Sequence, residues 1–71
     1  MPNHVPSLAL VLLRVPRGAA RPADERVQRA IDDDRRRLGL GPAEISSYRL
    51  AGPYAVEIDG QSLDEYVAWE V

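Results

Sequence analysis

Leu8-Ala-Leu-Val-Leu-Leu-Arg-Val15 is the stretch whose reading decides the fold. It is a continuous apolar run of strand length, stopped by Pro16 and Gly18. Alternate side chains of a strand face opposite ways, so Leu8, Leu10, Leu12 and Arg14 share one face and Ala9, Val11, Leu13 and Val15 the other. Both faces are apolar, which predicts a strand in the middle of a sheet that is covered on each side. A secretion signal or membrane span fits this run poorly. No Lys or Arg precedes it, Pro6 interrupts its approach, and Arg14 ends it far short of a span. The expected location is the cytoplasm, without membrane contact.

Working outward, residues 1–7 carry two prolines and are expected to form a flexible N-terminal arm, leaving residues 8–71 as one domain. After a loop at residues 16–22, a helix is marked at both ends. Pro22 suits a first turn, Asp24 and Glu25 meet the positive end of the helix dipole, and Arg35, Arg36 and Arg37 meet the negative end. Gly39 can close the helix in a left-handed conformation, and Gly41-Pro42 bars its continuation. Ala23, Val27, Ala30, Ile31 and Leu38 form one narrow apolar stripe, while Glu25/Arg29, Asp32/Arg36 and Asp33/Arg37 are acid-before-base pairs one turn apart.

Residues 45–50 and 54–58 read as two short strands of an antiparallel hairpin, separated by Ala51-Gly52-Pro53. Asp59-Gly60 is a tight-turn dipeptide. Beyond it the pattern is double. Ser62-Leu-Asp-Glu65 matches a capping box and favours a short helix over residues 63–70, yet Tyr66-Val-Ala-Trp-Glu-Val71 also alternates as a strand does. The predicted class is therefore α+β, in the order β-α-β-β followed by a short C-terminal helix or strand, with one main helix packed on a small mixed sheet.

Composition narrows the chemistry. The chain has 71 residues and no cysteine, which excludes disulfides, thiolate metal sites and a thiol nucleophile. A chain this short buries a thin core, so its stability must come from tight packing or from a second chain. The single histidine, His4, stands in the arm, poorly held for a catalytic base. Asp32-Asp33-Asp34 looks like a cation cluster, but consecutive helical positions diverge by about 100° and cannot converge on one ion. Gly39-Leu-Gly41 lies at the wrong end of a helix for phosphate and lacks the P-loop lysine. No catalytic, cofactor or metal residues are expected.

Two surfaces remain. Arg35, Arg36 and Arg37 could contact a nucleic-acid backbone, although a helix C-terminus favours cations for its own reasons and no aromatic residue is interleaved for base stacking. Tyr66 and Trp69 are candidates for a partner interface, where aromatic side chains concentrate. Charge is also divided along the chain: residues 1–38 carry eight arginines against five acids, whereas residues 39–71 carry one arginine against six. The expected function is a small non-catalytic protein–protein interaction or regulatory accessory module, self-associating as a homodimer or docking on a larger protein. Nucleic-acid binding through the arginine cluster is the alternative.

Overall fold

A computed structural model describes residues 8–41 and 48–71. Its elements run β1 (Leu10–Pro16), α1 (Asp24–Arg37), β2 (Tyr48–Ile58) and β3 (Gln61–Glu70). The α+β class and the β-α-β-β order hold. The sheet has the order β1-β3-β2 and both pairings are antiparallel, so it is not mixed. The last element inserts between the first two strands, and β1 is an edge strand instead of the predicted central one.

The C-terminal segment is a strand, not the favoured helix. Asp59 and Gly60 both take positive φ, 51° and 78°, the geometry of a two-residue hairpin turn, and Ile58 pairs directly with Gln61. The chain therefore turns straight into β3, which is paired on both sides. Two ladders outweigh one local cap. The hydroxyl of Ser62, freed from any capping role, lies 3.4 Å from a Glu57 carboxylate oxygen.

The expected hairpin across Ala51-Gly52-Pro53 is likewise one continuous strand. Ala51 pairs with Val67 and Tyr54 with Glu65, so three steps along β2 match two along β3 and the extra residue forms a bulge. Gly52, at φ 128°, allows the backbone to pass close over β3. Residues 45–47 lie outside the described residues, as do the arm 1–7 and His4.

The helix closes as expected. Gly39, at φ 79°, sends its N–H to the Arg36 carbonyl, and the Leu40 N–H bonds the Arg35 carbonyl, the double closure of a Schellman motif. Pro22 precedes the first turn instead of entering it, and the N-cap Ala23 makes no side-chain bond. Val27 and Ile31 from α1 meet Ala9, Leu13 and Val15 from the β1 region and Tyr66 and Ala68 from β3. These seven residues are the core among the described residues, and its largest fully buried side chains are only Ile31 and Val27. Ala23 and Leu38, the ends of the predicted stripe, are exposed.

Candidate functional site

The helix covers one face of the sheet and leaves the other open. On the covered face stand Val11, Leu13, Val15, Leu50, Tyr66 and Ala68. The open face can be followed in rows across β1, β3 and β2. Leu10, Trp69 and Arg49 make the first row, and Leu12, Val67 and Ala51 the second. Arg14, Glu65 and Tyr54 make the third, followed by Pro16, Leu63 and Val56, with Gln61 and Ile58 at the hairpin tip. The bulge produces this pattern. By adding one residue it keeps Tyr54 on the same side as Ala51, so Tyr54, Val56 and Ile58 all point away from the helix.

The open face is apolar apart from four side chains, and much of it meets solvent. Leu10 is 58% exposed, Leu12 52% and Tyr54 51%. These are large apolar groups standing together, unlike the scattered single ones normal on any surface. Its central polar groups satisfy each other: Arg14 Nε donates to Glu65 Oε2 at 2.9 Å. Arg49 makes no ion pair with any other described residue.

The two predicted interface aromatics separate. Trp69 stands half-buried on the open face, whereas Tyr66 is in the core beneath the helix at 5% exposure. Their alternation in β3 is the cause, since 66 and 69 differ by an odd number.

The arginine cluster also divides. Arg35 turns inward to the Glu70 carboxylate and the Gly41 carbonyl. Arg36 pairs with Asp33 at 3.5 Å, and Arg37 pairs with Asp34. Both helix pairs span three residues, not the predicted four. Each guanidinium thus has its own carboxylate, and the three do not build one positive surface, although the side chains of Arg36 and Arg37 are 80% exposed. A cleft of about 470 Å3 lies alongside, lined by Val11, Ala30, Asp33, Asp34, Arg36 and Arg37. Its charged rim is already paired within the helix.

Asp34 is the residue whose role the sequence concealed. The triplet Asp32-Asp33-Asp34 reads as surface, yet Asp34 is buried and accepts the Leu10 N–H at 3.2 Å. Glu70 accepts the Ala9 N–H at 3.2 Å, and the buried Asp64 accepts the Gly18 N–H at 2.9 Å while pairing with Arg17 at 3.4 Å. β1 is therefore tied at both ends by carboxylates from neighbouring elements. Periodicity can place Asp34 on the inner side of α1, but only the packing brings Leu10 to it.

The ties made by Asp34 and Glu70 carry a pH dependence. The hydrogen bond from Arg37 holds the Asp34 carboxyl below its usual value, against the opposing effect of burial, and the Leu10 N–H helps. The bond from Arg35 does the same for Glu70, aided by the Ala9 N–H. A carboxyl lowered in the folded state stabilises above its unfolded value, and that contribution fades as pH falls through the folded one. The urea midpoint is expected to be flat from about pH 7 to 5 and to drop below about pH 4. Asp34→Asn should be less stable at neutral pH and show a shallower drop; a variant with the same slope as the parent would remove Asp34 from this account.

Among the described residues no three His, Cys, Asp or Glu side chains converge as metal ligands, and no helix is long and apolar enough to cross a membrane. The chain matches no protein-family model, no curated protein and no solved structure.

Proposed function

We propose that the chain is a non-catalytic protein–protein interaction module, an accessory component whose contact surface is the open face of its sheet. One observation carries this reading. Leu10, Leu12, Tyr54, Val67 and Trp69 form a contiguous apolar surface on the side that the single helix does not reach. An aromatic anchor amid aliphatic neighbours, with its central charges joined in one internal pair and Arg49 at the margin, is the composition of an interface centre. The pairing of each residue in the arginine cluster with a carboxylate supports a contact made through apolar burial over one made to a nucleic-acid backbone.

Hydroxyl-radical footprinting inside cells tests the reading against the purified chain diluted far enough to stand alone. Leu10, Leu12, Tyr54 and Trp69 should be labelled several-fold less in cells, while Leu38, exposed at the far end of α1, should be labelled equally in both. Equal labelling of the face in both settings would count against any partner.

A further inference from the structure

We infer that the occupant of the open face is a second copy of this chain, packed sheet against sheet about a two-fold axis. This rests on reading that face as a contact surface and adds the identity of what covers it.

The edges of the sheet do not offer an alternative route. At β1 the Leu10 N–H is donated to Asp34 and the Arg14 carbonyl accepts from Arg26 at 3.0 Å, so the helix has already occupied outward-facing groups of that edge. The β2 edge is broken by its bulge at Gly52-Pro53, where proline has no N–H to give. Neither edge presents an unbroken ladder to a foreign strand. The flat face is what remains.

Its dimensions select the occupant. The ten residues of β3 rise about 3.3 Å each and the three strands lie about 4.8 Å apart, giving a flat area of roughly 33 by 14 Å, about 460 Å2. Two such faces remove roughly 900 Å2 from water, and side-chain relief carries the total into the range above about 1,000 Å2 where specific contacts lie. That size is reached only if the whole face is covered. A docked helix, about 10 Å across, leaves part of the width bare, whereas a second copy brings a sheet of equal width and length.

Charge and core size point the same way. The Arg14–Glu65 pair cancels itself in the middle of the face, leaving Arg49 in the end row as its charge without an ion pair among the described residues, so two copies can meet without building up like charge at the central pair. The core among the described residues holds seven side chains, two of them alanine. So small a core leaves a lone copy little margin of stability, and a cover present at all times supplies what the core lacks. A second copy is always supplied in equal amount, and a two-fold contact uses the same patch on both partners.

The test uses the full purified chain. Light scattering after size exclusion should give twice the chain mass, and the urea midpoint should rise with protein concentration, because association stabilises the folded state. Leu12→Glu should weaken association by at least about 100-fold, since a charge is placed in the middle of the seam. Leu38→Glu, at another exposed leucine off the face, should leave it unchanged. Should Leu12→Glu fail to fold, the parent chain still decides: a single-chain mass with a midpoint independent of concentration overturns the proposal. If that lone chain is readily footprinted at Leu12 and Tyr54 but protected in cells, a foreign protein is the occupant and the contact-surface reading stands. If the lone chain is itself shielded there, its own remaining residues cover the face and both readings fall.

Discussion

Gly52→Ala is expected to destabilise the fold by at least about 3 kcal/mol, combining backbone strain with a clash that cannot relax cheaply. Gly52 has φ 128°, a region that L side chains rarely adopt. An added Cβ would stand 2.8 Å from the Glu65 carbonyl oxygen and 3.2 Å from Tyr66 Cα. Both belong to the backbone of β3, the central strand, which is paired on both sides and cannot withdraw without pulling on β1. Gly60→Ala provides the contrast. Gly60 also has positive φ, 78°, but nothing lies within 4 Å of its added Cβ, so only the conformational cost of about 1 kcal/mol applies. Urea denaturation of the two variants at one protein concentration separates strain from collision; equal losses would mean that the close approach at Gly52 has no energetic weight.

Ile31→Ala should cost about 3 kcal/mol, through lost apolar burial and the cavity left behind. Ile31 is 1% exposed and is one of the two largest fully buried side chains among the described residues. Domains of this size hold only a few kcal/mol in total, so the variant should be substantially unfolded near 25 °C, with loss of tertiary circular dichroism. Leu38→Ala, at a residue 45% exposed beyond the last helical turn, should change stability by less than about 0.5 kcal/mol. A cooperative, near-parental transition for Ile31→Ala would show that the helix contributes little to the core and that the fold rests on the sheet alone.

The carboxylates that tie β1 and the open face have a common consequence. Asp34, Asp64 and Glu70 tie β1 to the rest of the chain from α1 and β3. With β1 held, the side chains of Leu10 and Leu12 are fixed on the face of the sheet opposite α1, where they stand exposed. The polar residues that make the fold specific thereby also fix the surface available for contact.

Local chemistry alone determined the helix, because its ends are written in adjacent residues: acids in the first turn, arginines in the last, and Gly39 at a left-handed closure. It also determined that residues 8–15 are more apolar than one helix can shelter, which the exposure of Leu10 and Leu12 makes concrete. Tertiary structure decided the rest. Whether Gln61–Glu70 is a helix or a strand depends on two ladders formed with segments distant in sequence, and β1 could be placed at an edge only once β3 had taken the centre. The bulge at Gly52-Pro53, which sets the face on which Tyr54, Val56 and Ile58 stand, is a matter of register. Register belongs to pairs of strands, so no single segment of the sequence can contain it.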